Sequence, residues 1–87
     1  MKNFIFDENA LEQYSDWARE NIKIFFKIGD LIKDIKRNPF KGIGKPEPLK
    51  HNHKGCWSRR IDEKNRIVYK VISPDEIHII SCKGHYD

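Results

Sequence analysis

Cysteine is scarce in this chain: Cys56 and Cys82 are the only two, and they are widely separated. That excludes the disulfide framework of a small secreted domain, and both fall where strands are expected, so reduced thiols packed as small hydrophobes are the expectation. His51 and His53 precede Cys56, but this spacing matches none of the usual zinc patterns and no second ligand pair follows. No metal and no other cofactor is expected. Long apolar runs are also missing: none approaches the ~20 residues of a membrane span. The opening residues meet Asp7 and Glu8 too early for a secretory signal. The expectation is a cytoplasmic protein with no membrane partner. Repeats, low-complexity tracts and linkers are absent too, and 87 residues leave room for one domain, residues 1–87, with a thin core.

Positive charge is abundant, and it is concentrated. Between Lys41 and Arg66 there are eight Lys or Arg against three Asp or Glu, whereas the remaining residues carry nine against ten. The net charge of +4 therefore comes from this one stretch. A local field of that kind attracts polyanions and speeds their encounter, which favours a nucleic-acid partner over a neutral metabolite.

Patterning divides the chain into elements. Phe4, Ile5 and Phe6 make residues 1–6 an opening strand, and Asp7 can cap a helix that starts at Glu8. Over residues 8–20, Ala10, Leu11, Tyr14, Trp17 and Ala18 fall at spacings of three and four and form one apolar stripe. A second stripe of Ile24, Ile28, Leu31, Ile32 and Ile35 predicts another helix, which must stop near Asn38 because Pro39 disfavours helical backbone before it. Residues 38–55 hold three prolines and three glycines and read as an irregular, stiffened loop in which Pro46 and Pro48 restrict Glu47 on both sides. Strands are predicted over 56–61, 66–72 and 76–82, and their short links imply antiparallel neighbours. In the middle one Ile67, Tyr69 and Val71 alternate with Arg66, Val68 and Lys70, so one face suits the helices and the other is polar enough to meet a ligand. The predicted class is α+β, with an N-terminal strand and two helices packed on an antiparallel β-sheet.

These residues offer a metal-free route to phosphodiester cleavage. RNA cleavage needs a base for the ribose 2′-hydroxyl proton, cations for the phosphate and an acid for the leaving oxygen. Glu47 is a carboxylate inside the basic loop, and Lys50, Arg59, Arg60 and Arg66 are cations, three of them arginines whose planar forks suit phosphate. His85 carries an imidazole whose ordinary pKa suits an acid, and Tyr86 can stack on a base. Geometry leaves one question open. A four-residue hairpin loop over 62–65 would send Arg60 and Arg66 to opposite faces, whereas a five-residue loop pairing Arg60 with Arg66, or a bulge, would put them on one face.

The segments KPEPLKHN, GCWSRRI, NRIVYKV and the terminal CKGHYD resemble the Txe/YoeB family of RelE-like toxins from toxin–antitoxin modules, over essentially the whole length. The resemblance implies the RelE-like fold and an endoribonuclease that cleaves mRNA in the ribosomal A site, so inhibiting translation, without a metal. It implies Glu47 as general base, His85 as general acid, Arg66 stabilising the transition-state phosphate with Lys50 and Arg60 assisting, and Tyr86 orienting the substrate. It further implies a cognate antitoxin of the YefM/Axe type, a homodimer, and operator DNA bound only through the antitoxin. Asp87 follows Tyr86 and adds negative charge that favours protonated His85. Two alternatives of other classes are a gyrase-poisoning toxin without nuclease chemistry and an RNA-binding module that uses the basic patch for affinity alone.

Overall fold

The computed structural model describes residues 2–84. The chain runs through strand β1 (Asn3–Phe6), helices α1 (Glu8–Glu20) and α2 (Ile22–Arg37), strand β2 (Glu47–Pro48), a 3-10 turn at His51–His53, and strands β3 (Trp57–Arg60), β4 (Arg66–Ser73) and β5 (Glu76–Ser81). One five-stranded sheet has the order β1-β5-β4-β3-β2. Its pairs are antiparallel except that β1 runs parallel to β5. The α+β plan therefore holds, with a mixed sheet in place of a wholly antiparallel one, because the helices carry the chain away from β1 and leave it as the far edge.

The helices form where the apolar spacing predicts, with two local differences. In α1, Ala10, Tyr14 and Trp17 face the core, but Leu11 and Ala18 are exposed, so the stripe is narrower than expected. Asp7 occupies the N-cap position without a side-chain capping bond; its amide instead donates to the Ile79 carbonyl at 3.0 Å. Asn21 alone joins the helices, closing α1 through its amide and opening α2 through a side-chain oxygen that accepts from the amides of Lys23 and Ile24. On α2 Ile28, Leu31 and Ile35 are fully buried. Asn38 ends the helix in extended backbone, as the following proline requires.

The sheet has one covered face and one largely polar face. Ile67, Tyr69, Ile77 and Ile79 pack with the α2 isoleucines and Leu31, and each such side chain stabilises the fold by roughly 1.5–3 kcal/mol. On the other face the register sets Glu47, Ser58, Val68 and Ser81 in one cross-strand row. Ser81 reaches that row because β5 carries an extra residue, Ile80, between the partners of Tyr69 and Val68. Among the described residues no helix is long and apolar enough to cross a membrane.

Candidate active site

The polar sheet face gathers the predicted carboxylate and two of the predicted cations. Glu47 lies on β2, at the sheet edge, where proline is tolerated because one side of the strand needs no partner. The predicted loop thus contains a short strand whose register with Ser58 and Trp57 places the Glu47 side chain on the polar face. Backbone in the left-handed region flanks this segment at Lys45 (φ 51°) and His51 (φ 58°), an uncommon conformation for side-chain-bearing residues that marks a constrained loop.

Arg60 pairs directly with Arg66, which answers the open question: the hairpin loop has five residues, and both guanidinium groups stand on the face of Glu47. Glu47 and Arg60 are then diagonal neighbours, roughly 7–8 Å apart. Arg66 Nη1 donates to the carbonyls of Asp62 at 2.8 Å and Asn65 at 3.1 Å. Its Nε and Nη2 have no partner among the described residues, and neither does the exposed Arg60 guanidinium. Like charges directly opposite in a sheet repel; here Arg66 is buried and its charge is partly offset by the Asp62 carboxylate, while Arg60 is exposed. Lys70 lies on the same face; its stem runs under Gly55, where a Cβ would stand 3.7 Å from Lys70 Cε. Alternation put Lys70 on the polar face without assigning it a role. Lys50 is exposed and caps the 3-10 turn.

Arg59 is not with the other cations. As the neighbour of Arg60 on a strand it points to the opposite face, where it is fully buried and donates through every N–H it has. Nε bonds the Tyr69 hydroxyl at 3.2 Å, Nη1 bonds the Asp34 carboxylate and the Ile43 carbonyl, and Nη2 bonds the carbonyls of Asn38 at 2.6 Å and Lys41 at 3.3 Å. The expectation that Arg59 binds phosphate is therefore corrected: the sheet hides it and the loop consumes its donors. The Arg59 guanidinium, the Ile43 amide and Arg37 hold the Asp34 carboxyl down at a pKa of about 2. Gly42 (φ +140°) is required here, since a Cβ would meet Asp34 Oδ2 at 1.9 Å.

The last described residues are fastened beside Arg66. The Arg66 amide donates to the Gly84 carbonyl and the Gly84 amide to Asn65 Oδ1, both at 2.9 Å. The Asp62 carboxylate braces Asn65 through its amide at 2.7 Å and its side-chain nitrogen. Cys82 is tied to α1 by three bonds: its amide to Gln13 Oε1 at 2.7 Å, its carbonyl from Trp17 Nε1 at 2.9 Å, and its thiol to the Ala10 carbonyl. Burial pushes that thiol up to about 12. Both cysteines are free, but Cys56 is only half-buried and lies just before β3 instead of in a strand. His85, Tyr86 and Asp87 lie outside the described residues. Trp17, read as core, is also a hydrogen-bond donor to the terminal segment, which its indole nitrogen alone would have signalled.

Residues 6–86 match the model of a "YoeB-like toxin of bacterial type II toxin-antitoxin system". The chain belongs to this family. Among YoeB-like relatives, Toxin YoeB of Escherichia coli K12 is 49% identical over 82 residues, covering 94% of this chain and 96% of its own. A solved YoeB dimer from Staphylococcus aureus superposes with a TM-score of 0.90 at 44% identity, covering 98% of each chain. The heterotetrameric YoeB-YefM toxin–antitoxin complex from the same organism gives 0.88 at 44% identity, covering 99% of each. The YoeB-like segments singled out in the sequence converge in space: KPEPLKHN supplies β2, GCWSRRI β3 and NRIVYKV β4, three adjacent strands.

Proposed function

We propose that this toxin is an endoribonuclease that cleaves mRNA in the ribosomal A site by general acid–base catalysis and so halts translation. The observation that carries the reading is the directly opposed Arg60–Arg66 pair on the face of Glu47. A pair of opposed guanidinium groups, Arg66 only partly offset by Asp62, next to a carboxylate fits a phosphodiester, whose anionic oxygens take the arginines while its 2′-hydroxyl meets the base. Glu47 accepts the 2′-hydroxyl proton, the 2′-oxygen attacks phosphorus, and Arg66 and Arg60 bind the phosphoryl oxygens as negative charge builds. Lys50 adds field at the site. The 5′-oxygen departs with a proton from His85, leaving a 2′,3′-cyclic phosphate, and Tyr86 orients the nucleotide. Gly84 is bonded to the Arg66 strand, which supports placing the following residue, His85, in the reaction. No step requires a metal.

An antitoxin of the YefM type and a second copy of the chain are the protein partners this reading takes from the S. aureus assemblies, with operator DNA met only through the antitoxin and the whole system acting in the cytoplasm. The test is primer extension on ribosomes programmed with a defined A-site codon. Wild type should cut at that codon, and cutting should persist when EDTA is added after complex assembly. Glu47→Gln and His85→Ala should each lose roughly 10²- to 10⁴-fold in rate while still binding ribosomes. No cut by wild type under conditions where the protein arrests growth would replace this reading with the gyrase or binding-only alternative.

A further inference from the structure

We propose that the Arg59–Asp34 pair, in which the arginine is buried, is the positioning device for Glu47, holding from the covered side of the sheet the loop that presents this carboxylate on the polar side. The inference rests on the nuclease reading for its catalytic meaning, but its structural basis is independent of that reading.

Every contact of the pair with the loop is to backbone. Arg59 takes the carbonyls of Asn38, Lys41 and Ile43, and Asp34 Oδ2 accepts from the Ile43 amide at 2.9 Å. Tyr69, itself bonded to Arg59, donates to the Pro39 carbonyl at 2.5 Å. The loop cannot shift along this anchor without breaking the bonds of three of its carbonyls to the buried guanidinium. Gly42 and Gly44 bring the chain so close that a Cβ at position 44 would stand 2.9 Å from Leu31 Cδ2 and 3.0 Å from the Arg60 carbonyl. Gly44 then accepts from the Arg60 amide at 2.6 Å. Only Lys45 and the rigid Pro46 separate that bond from Glu47, and Leu49 is bonded to the Cys56 carbonyl at 2.9 Å just beyond. The Glu47 side chain has no hydrogen bond among the described residues, so its position is inherited from the backbone, which pairs with Ser58. Arg59 and Arg60 are adjacent on β3 and point to opposite faces, so the same strand step that carries the anchor also carries a phosphate ligand. A shift of about 1 Å in such a base is enough to slow a reaction on the order of 10²-fold.

Asp34→Asn tests this, because it keeps the side-chain shape and removes the charge. Hydrogen exchange of the full chain should show faster exchange, by about tenfold, at the Leu49 and Arg60 amides, with the β4–β5 amides unchanged. Single-turnover cleavage in preassembled ribosome complexes should fall by roughly 10- to 100-fold with ribosome affinity retained. In a Glu47→Gln background the same substitution should cost nothing further, since a positioning residue has nothing left to position. Unchanged protection at Leu49 and Arg60 would overturn the proposal, as would cleavage losses that multiply in the double variant. If Asp34→Asn fails to fold, Arg37→Ala, which removes only the outer partner of the carboxylate, should show the same exchange pattern in weaker form, and its absence would overturn the proposal equally. Wild type that does not cleave at all would refute the nuclease reading, and the exchange result alone would then decide whether the pair holds the Glu47 strand.

Discussion

Two irregular segments approach the polar sheet face, and they are held there by opposite strategies. The loop from Asn38 to Glu47 is gathered onto a single ion pair, buried Arg59 with half-buried Asp34. The segment from Cys82 to Gly84 is held by dispersed contacts: three bonds from Cys82 to α1, Lys83 on Glu20 at 2.8 Å and over the Trp17 ring, and Gly84 on Asn65 and Arg66. A loop of mostly backbone acceptors, with no apolar side chain fully buried, needs one strong multidentate donor. A strand end that already borders the core is secured by ordinary neighbours. Concentration makes the first anchor specific and fragile, and dispersion makes the second tolerant.

The largest expected effect would break the first anchor outright. Arg59→Ala leaves the Asp34 carboxylate, three loop carbonyls and the Tyr69 hydroxyl without their buried donor, so a loss of about 3–5 kcal/mol in urea-unfolding free energy is expected. Arg59→Lys should recover little, since an ammonium has three donors on a flexible stem and no planar fork. A loss below about 1 kcal/mol for the alanine variant would mean that the loop is held by something other than this pair.

On the other segment a single deletion should cost much less. Trp17→Phe keeps the packing and removes the indole N–H that serves the Cys82 carbonyl, so the expected loss is about 1 kcal/mol by the same unfolding assay. The amide and thiol bonds of Cys82 remain in that variant. A loss comparable to that of Arg59→Ala would show that the terminal segment is as concentrated in its anchoring as the loop, and the comparison would collapse.

The contrast also explains what was legible in the sequence. Helical periodicity located α1 over residues 8–20, and Pro39 located the end of α2, because these depend on local chemistry. The strands followed to within about a residue or two for the same reason. Alternation sends Arg59 and Arg60 to opposite faces, and which of them faces the helices depends on Asp34, distant in sequence and on a helix. The paired prolines concealed β2, whose existence depends on an available sheet edge. Glu47, Arg60 and Arg66 share a face because strand register and a five-residue loop put them there, a point the sequence left open, whereas Arg59 was grouped with the cations by charge alone, and charge does not reveal burial.

Acid should separate the two anchors more gently than substitution. Asp34 ionises at about 2 in the folded protein against an ordinary 3.8. Its stabilising contribution is therefore full above about pH 4 and lost as the pH falls towards 2. Around the loop, Arg37 and Arg59 face this carboxylate, with Tyr69, whose hydroxyl burial raises, beyond them. The terminal segment leans the other way. Cys82 is raised by burial from 9.0 to about 12, and Lys83 is raised chiefly by its bond to Glu20. Both contributions are full at neutral pH and fade in alkali, the Cys82 one between about pH 9 and 12. Asp62, under Gly84, is the acid-sensitive exception: burial opposes its charge, but the Asn65 and Lys64 amides, the Asn65 side chain and the Arg66 charge together lower it. Protection factors corrected for intrinsic exchange should thus fall further between pH 5 and pH 2.5 at Leu49 and Arg60 than at Gly84, the conditions being roughly those that bracket carboxylate titration. Asp34→Asn should remove the acid dependence at Leu49 and Arg60 and leave that of Gly84 in place, because Asp62 is untouched. Equal loss at both segments, insensitive to Asp34→Asn, would mean that the ion pair responds to global acid unfolding and is no separate anchor.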